Sequence, residues 1–568
     1  MINKGQTMPE NKSKLLIPAV GTVLIVAGGI VAYMYFKGGT AGDISGAVPS
    51  AKVVPNEALM ATYISTDPKV WAKLEQFGTP EAQKLVAKGL ENFNQDVLND
   101  SNFSYEKDLK PWIGGVMIAV LPTTPTKPAQ FNGTSPTPNG LITKKLPETN
   151  TLMVVGIKDK LAALNFANKL KGQKGVTTKE IDYKGQKIAE TTSKGKPTYS
   201  AVLNNHVVFA PEKQAVEQAI DTFKGEPSFL TKEGANTILS KGVNLENTVA
   251  QVYIPDYAST VQQAIATSPQ AAPLPPQTLT QLKSVKSMVF GVGIDDAGVR
   301  MKAIANLDPA LVKFQYQNTP SQVVSQLPAD TIALISGQGI NKWWSALVEQ
   351  SKDYPEFKQV LEQARAQLKV VNIDLDKEIF GWMDGEFGFA AIPANQGMLA
   401  QVGFGGAFLF HTSDRKTAEA IFTKLDTLAK TQQINIAPRN IGGKDMIEWQ
   451  VPRQGALLAH GWLNQNTLAV TVGDSVVDAI ASPKQSLDSS ENFKAVTGSL
   501  QKPNGGYFYL DMNKILSLIN RFTQQSQPLP PEANAVLSSI HGVGITANSP
   551  DNSIAQMEIL LALKQKTK

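Results

Sequence analysis

A run of oxygen-bearing side chains at alternate positions is the closest approach of this chain to a metal-binding motif. The run comprises Asn372, Asp374, Asp376 and Glu378. Its spacing resembles the start of a calcium-binding loop, which also needs glycine at its sixth position and a bidentate glutamate at its twelfth. Those positions hold Lys377 and Met383. We therefore expect an acidic loop edge rather than a calcium site, and we predict no metal site and no cofactor.

A histidine and a serine two residues apart are the residue types of nucleophilic catalysis. His411 and Ser413 are followed by Asp414. Such catalysis also needs an oxyanion hole and a third residue that orients the base, and the chain contains no G-x-S-x-G motif. We interpret Ser413 or Asp414 as the N-cap of a helix and assign no catalytic residue.

Tryptophans are the remaining candidates for a binding site. Trp112 and Trp382 each lie four residues after an acidic residue and before a glycine, which predicts core packing at a junction between helix and strand. Trp343 and Trp344 are adjacent, and neighbours on a helix cannot face the same side. This pair is a possible interaction surface, with ordinary burial as the alternative. Structural roles are predicted for Gly114, Gly385, Gly185 and Gly443.

The elements that must position these residues occur twice in the same order. The matching segments are 54–63 with 327–336, 108–115 with 378–385, and 274–276 with 529–531. Short turns join many of the predicted strands, so pairing should be mostly antiparallel. The sequence therefore predicts a duplicated fold.

Composition excludes several classes of chemistry. The chain has 568 residues, 42% of them apolar and 18% charged, with a net charge of +5 and no cysteine. Absence of cysteine excludes thiolate nucleophiles, disulfides and cysteine-bound zinc. Because lysine and arginine are spread among acidic residues rather than clustered, and the net charge is small, we predict no nucleic-acid partner.

An apolar segment near the N-terminus suggests a membrane anchor. Residues 15–36 carry no charge, and about 20 such residues span a bilayer as a helix. Lys4, Lys12 and Lys14 precede the segment, which predicts a cytoplasmic N-terminus and an exported C-terminal region. The alternative is a cleaved signal peptide, whose apolar core is normally shorter.

These observations predict an α+β fold class: two tandem homologous domains with mostly antiparallel sheets and packed helices, preceded by one transmembrane helix. The predicted order begins with a cytoplasmic segment, 1–14, a transmembrane helix, 15–36, and a flexible linker, 37–52. It continues with copy 1, 53–308, a second linker, 309–325, and copy 2, 326–564.

The landmarks of both copies resemble a cyanobacterial family of single-pass membrane-anchored proteins classed as a domain of unknown function. The residues that carry the resemblance are Val54, Pro55 and Ala58, the segments 108–115 and 378–385, and the turn 203–205. The resemblance implies a photosynthetic bacterium, with the main region in the periplasm or the thylakoid lumen. It implies no catalytic residue.

The expected function is that of a membrane-anchored, non-enzymatic binding, scaffold or accessory protein. The expected partners are the membrane, through residues 15–36, and an unknown protein or apolar ligand. One alternative is a lipid or apolar-ligand carrier in which each sheet encloses a pocket. The other is an unrecognised hydrolase, which would need a convergent polar cluster in one copy that the other copy lacks.

Overall fold

Residues 46–85, 105–122, 150–173, 175–193, 195–266, 274, 276–312, 315–451, 455–523 and 529–566 are described by the structure, a computed structural model. Within these ranges, twenty strands form one sheet. The strands of copy 1 are β1 (Met60–Ile64), β2 (Ile113–Leu121), β3 (Asn150–Ile157), β4 (Val176–Tyr183), β5 (Gln186–Ser193), β6 (Lys196–Leu203), β7 (His206–Ala210), β8 (Thr248–Ile254), β9 (Val285–Asp295) and β10 (Gly298–Leu307). Those of copy 2 are β11 (Ala333–Gln338), β12 (Glu386–Pro393), β13 (Phe404–His411), β14 (Asn435–Ile441), β15 (Lys444–Val451), β16 (Gly455–Trp462), β17 (Thr467–Val472), β18 (Tyr507–Asp511), β19 (Ile540–Asp551) and β20 (Ile554–Leu563).

Fifteen α-helices in the described ranges connect or cover these strands. The helices of copy 1 are α1 (Ala47–Ala51), α2 (Pro68–Trp71), α3 (Lys160–Lys171), α4 (Lys213–Phe223), α5 (Ala235–Lys241), α6 (Tyr257–Ala266) and α7 (Pro276–Leu282). Those of copy 2 are α8 (Gln322–Gln326), α9 (Ile340–Ser351), α10 (Pro355–Val370), α11 (Arg415–Thr431), α12 (Asp474–Ala481), α13 (Glu491–Thr497), α14 (Met512–Thr523) and α15 (Pro531–Ser538).

The two copies repeat one pattern of strand pairing. β1 lies between β2 and β8, and its counterpart β11 lies between β12 and β18. The order across copy 1 is β4-β5-β6-β7-β3-β2-β1-β8-β9-β10. The order across copy 2 is β14-β15-β16-β17-β13-β12-β11-β18-β19-β20. All of these pairs are antiparallel, as the short connections predicted.

One seam joins the two copies. β10 pairs with β20 in antiparallel register, from Gly298 opposite Ala562 to Asn306 opposite Ile554. Beside this ladder the buried Arg300 guanidinium contacts Glu558, donates to Asp295 at 2.5 Å and donates to the Ser499 hydroxyl at 2.7 Å. Buried charges are stable only when they are paired in this way. The seam therefore combines a backbone ladder with an ionic cluster contributed by both copies.

Helices pack on both faces of the sheet, and the face that carries the two largest buried clusters is here called the buried face. In copy 1 the covering helices are α1, α4 and α5, and in copy 2 they are α8, α12 and α13. Leu152, Leu334 and Leu560 on this face are fully buried. The opposite face carries further clusters, formed with α2 and α3 in copy 1 and with α9, α11 and α14 in copy 2. Because its middle is left partly exposed, it is called the open face.

The predicted fold class was wrong in its architecture. Two domains with separate sheets were expected, but the pairing of β10 with β20 makes one continuous antiparallel sheet of twenty strands with helices. The predicted transmembrane helix has no support either, since none of the helices described is long and apolar enough to span a bilayer. That prediction rested on hydropathy alone, and residues 15–36 lie outside the described ranges.

Candidate apolar binding face

A row of apolar side chains crosses the open face from copy 1 into copy 2. Strand register places its members side by side on eight adjacent strands: Val292, Met301, Ile559, Ile545, Phe508, Ile335, Phe389 and Phe408. We call this set the apolar row. At a spacing of about 4.8 Å between neighbouring strands, the row is about 34 Å long. It passes directly over the seam.

Solvent reaches the middle of this row. Met301 is 38% exposed and Ile335 is 51% exposed, while Met557, next to the row on β20, is 41% exposed. The sequence produces this face because the long strands β9 and β19 alternate buried and partly buried residues along much of their length. A continuous apolar strip with exposed members is characteristic of a surface that binds a ligand or a protein partner.

The copy 2 end of the row is aromatic. Phe389 packs against Phe408 and Phe410, with ring centroids 5.5 and 5.8 Å apart. Phe387 adds a contact at 5.1 Å. These ring contacts are in the range of favourable aromatic pairs. The packed aromatic rings give this end of the row a rigid apolar surface.

Trp112 and Trp382 occupy equivalent places in the two copies. Each follows a π-helical turn and precedes β2 or β12. Both indoles are buried, and their N–H groups donate to the carbonyl oxygens of Asp108 and Glu378 at 2.9 and 3.0 Å. These side chains hold the turn against the strand and lie away from solvent, so they support the face without forming a ligand-stacking site.

Trp343 and Trp344 have different environments. The Trp344 ring stacks on Phe380 with centroids 3.9 Å apart, and its N–H donates to Asp376 at 2.8 Å. Trp343, on the same helix α9, is 51% exposed. The structure therefore puts one member of the predicted interaction pair at the surface and the other in a packed cluster.

The three carboxylates of the candidate calcium run point to different partners. Asp374 accepts from two backbone amides of the following turn, and Asp376 accepts two bonds from Arg365. Glu378 contacts Lys424. Hydrogen bonds from Arg365 and Lys424 hold the pKa values of Asp376 and Glu378 below their usual range. Across the described part of the chain, no group of three or more potential metal-ligating His, Cys, Asp or Glu side chains occurs.

The histidine–serine pair lies at a helix start. The Ser413 hydroxyl donates to Asp384, and Asp414 caps α11 by accepting from the Thr417 amide at 3.1 Å. His411 belongs to a polar row on the buried face, where strand register places it beside Glu386 and next to Thr467. Glu386 is 3% exposed and accepts from the Gln322 amide at 2.7 Å, so it anchors the start of α8.

This polar row is a cluster that copy 1 does not repeat. Burial raises the pKa of Glu386, against the effect of its hydrogen bonds. In copy 1, Gly156 is at the position equivalent to His411 and pairs with His206 on β7, as His411 pairs with Thr467 on β17. The cluster lies beneath α8, and one oxygen of its carboxylate accepts from the Gln322 amide while Oε1 is buried without a hydrogen-bond partner among the residues described. Its arrangement is that of a structural anchor rather than of an accessible reaction site.

The glycines assigned structural roles lie at turns and close approaches. Gly185 and Gly443 have positive φ angles of 74° and 79° at the β4–β5 and β14–β15 hairpins. A Cβ on Gly385 would be 2.3 Å from the His411 carbonyl oxygen. Gly114 lies where the register of β2 against β3 shifts. At each position, a positive φ angle, an irregular strand or the lack of room for a Cβ explains the presence of glycine.

Two pockets in the described region are lined mainly by polar residues. One of about 360 Å³ is lined by Gln315, Gln317, Gln338, Lys342 and their neighbours. Another of about 480 Å³ lies between Trp344, Arg365 and Asp376. Neither resembles the apolar pocket that a lipid carrier of the enclosed type requires. The open face is therefore the larger candidate site.

The fold and the face together define a class of protein, a duplicated antiparallel α+β sheet with one covered and one partly open face. The family model described as a protein of unknown function, DUF3352, matches residues 18–563. The chain belongs to this family. The match confirms the resemblance to a domain of unknown function.

Comparison with solved structures adds little. Crystal forms III and IV of TP0453 are 10% identical to the chain, with TM-scores of 0.25 and 0.26. They cover 47% and 46% of this chain, and 82% and 81% of TP0453. This likeness is too weak to support an argument about fold or function. No curated protein matches the chain.

Proposed function

We propose that the protein is a non-enzymatic binding protein that takes a long apolar chain, such as the acyl chain of a lipid, on the apolar row. The observation that carries this proposal is the continuity of apolar side chains across eight strands and both copies, with Met301 and Ile335 exposed in the middle of the row. Apolar contact area is the main source of affinity for such a ligand, at roughly 25 cal/mol per Å² buried.

The shape of the row favours a narrow ligand. Val292 packs on the hydrophobic cluster around Trp71 and Trp112, and Phe389 and Phe408 pack on the cluster around Trp382, so the exposed part of the row is its middle. A standard protein–protein interface needs about 800 Å² from each partner, contributed by roughly 20–30 residues. The exposed part of the row is a strip about one side chain wide, which fits an extended chain better than a folded domain.

A titration with a fluorescent fatty-acid analogue tests the proposal. Ile335→Asp places a carboxylate in the middle of the row, where a bound apolar chain would strip it of water. Because burying an unpaired charge is costly, affinity should fall by about tenfold or more. Met301→Asp should act in the same direction from the copy 1 side of the seam.

Val370→Asp is the matched control, because Val370 is 86% exposed and ends α10, away from the row. It should leave the affinity unchanged, and circular dichroism should show all three variants folded. Absence of saturable binding by the unaltered chain would overturn the proposal. Equal losses in the control would mean that the analogue binds elsewhere.

The predicted cyanobacterial source and the predicted periplasmic or luminal location stay predictions. The scaffold or accessory role also stays a prediction. The proposal of binding on the apolar row depends on none of them, since strand register and side-chain exposure are what support it.

A further inference from the structure

One end of the sheet carries most of the chain's excess charge. Residues 158–196, which include α3 and the β4–β5 hairpin, contain ten lysines and four acidic residues, a net charge of +6. The whole chain has a net charge of +5. The region is also free of arginine. The lysines of this set that the structure describes lie on or next to α3 and the strands β4–β6, at the outer edge of copy 1.

The lysines surround an exposed apolar stripe on α3. Leu161 is 68% exposed and Leu164 is 57% exposed. They are three residues apart and therefore lie on one side of the helix, with Lys171 seven residues beyond Leu164 on the same side. The opposite side packs inward through Phe166, whose ring is 5.5 Å from that of Trp112. Exposed leucines beside lysines are typical of helices that lie on lipid surfaces.

Ion pairing leaves the positive character of this end in place. Lys169 pairs with Asp108 at 2.6 Å and Lys184 with Asp221 at 2.5 Å. Lys171 and Lys187 make longer contacts with Glu180 and Asp182, at 3.5 and 3.9 Å. Exposed pairs of this kind contribute little energy and do not remove the local excess of lysine. Lys160 and Lys179 are exposed on α3 and β4.

The equivalent end of copy 2 differs. Residues 412–453 contain seven basic and five acidic residues, a net charge of +2. Its helix α11 buries Ala418, Ile421 and Ala429, and its surface carries the Arg415–Glu419 ion pair. The basic, leucine-bearing surface therefore belongs to copy 1 alone, although both copies share the underlying strands.

We infer that the α3 and β4–β5 end of copy 1 docks on an anionic lipid surface, with Leu161 and Leu164 entering the headgroup region and the lysines facing the lipid charges. Each lysine near such a surface strengthens attachment by roughly fivefold. This site is separate from the apolar row and does not depend on ligand binding there.

The side chains favour lipid over nucleic acid. Recognition of nucleic acid relies heavily on arginine forks and on aromatic rings free to stack on bases. Arginine is absent from residues 158–196. Phe166 packs against Trp112, and the Tyr183 hydroxyl donates to Asp221 at 3.0 Å. Exposed leucines add affinity for a membrane interface and little for phosphates in water.

Co-sedimentation of the full chain with vesicles tests this inference. Vesicles of phosphatidylcholine alone are compared with vesicles that also contain phosphatidylglycerol, at low and high salt. The triple variant Lys160→Glu, Lys179→Glu and Lys187→Glu should lower partitioning onto the anionic vesicles by roughly tenfold or more. The pair Leu161→Ser and Leu164→Ser should lower it at both salt concentrations, because its contribution is apolar.

The matched control has the same charge change on exposed lysines of copy 2: Lys369→Glu, Lys416→Glu and Lys430→Glu. It should partition as the unaltered chain does. Hydrogen exchange provides a local readout, since residues 160–171 should gain protection on anionic vesicles and not on neutral ones. Equal loss in both triple variants, or no dependence on phosphatidylglycerol, would overturn the inference. Tighter binding of RNA, lost in the same copy 1 variants, would replace it with a nucleic-acid site.

Discussion

Copy 1 and copy 2 agree in their sheets and differ at their surfaces. Ten strands pair in the same order in each, and Trp112 and Trp382 have equivalent hydrogen bonds. Yet α3 leaves Leu161 and Leu164 exposed, whereas the equivalent α11 buries three apolar residues. The two copies therefore share their strand register and their buried face, whereas their outer helices differ in which apolar residues they expose.

The seam shows what makes the two copies one structure. Removing Arg300 leaves Glu558 and Asp295 without their partner, and breaking a buried ion pair costs about 3–5 kcal/mol. Arg300→Ala should therefore lower the free energy of unfolding by about that amount, the largest effect expected here. Urea unfolding followed by tryptophan fluorescence measures it.

The control for this variant is Lys352→Ala, which removes an exposed pair with Glu349 and should change stability by less than about 1 kcal/mol. If the seam unites the copies, signals from both should shift together in the Arg300 variant. Separate transitions, with only one of them shifted, would indicate two independent domains.

Hairpin glycines provide a closer comparison between copies. Gly185 and Gly443 both have positive φ, and both have open space where a Cβ would point. Replacement by alanine therefore costs only backbone strain, about 1 kcal/mol at each position. Thermal unfolding of Gly185→Ala and Gly443→Ala should show similar losses. A much larger loss in one would show that the hairpins are not equivalent.

Glu386 distinguishes the buried faces of the two copies through pH. Burial raises its pKa above the ordinary value of 4.5, so the folded state binds a proton more readily than the unfolded state. The associated stability is present below pH 4.5 and is lost as pH rises through the folded pKa.

Glu386→Gln should remove this dependence, so that the variant gains stability relative to the unaltered chain as pH rises above 4.5. We expect this to be the smallest of the effects. Chemical unfolding at several pH values measures the difference, and a constant or falling difference would contradict the assigned shift. His411→Asn is a useful companion, because His411 shares the row.

Local structure was predictable because its signals are local. Alternating apolar residues, turn residues and helical spacing predict strand 58–65, helix 159–171 and the hairpin 286–294 with 299–306. The structure has Met60–Ile64, Lys160–Lys171, and Val285–Asp295 with Gly298–Leu307. Turn residues and alternating apolar positions carry that information. Residues 123–150 are rich in Thr, Pro, Asn and Gly, which predicts a loop; they lie outside the described residues except for Asn150, which begins β3.

Long-range features were not predictable in the same way. Pairing of Met301 with Ile559 joins residues far apart in sequence, and no local pattern specifies it. The apolar row was missed because its exposure depends on where helices stop, although alternation in β9 and β19 marked both faces as apolar. The lysine excess of 158–196 was visible in the sequence, but averaging charge over the whole chain concealed it.

An environment-sensitive fluorophore at position 335 tests the central claim most directly. The chain has no cysteine, so Ile335→Cys gives a single labelling site on the apolar row, and Val370→Cys gives one away from it. Addition of a long-chain fatty acid should quench or shift the emission at 335 in a saturable manner and leave 370 unchanged. An unchanged signal at 335, or equal changes at both positions, would contradict binding on the row.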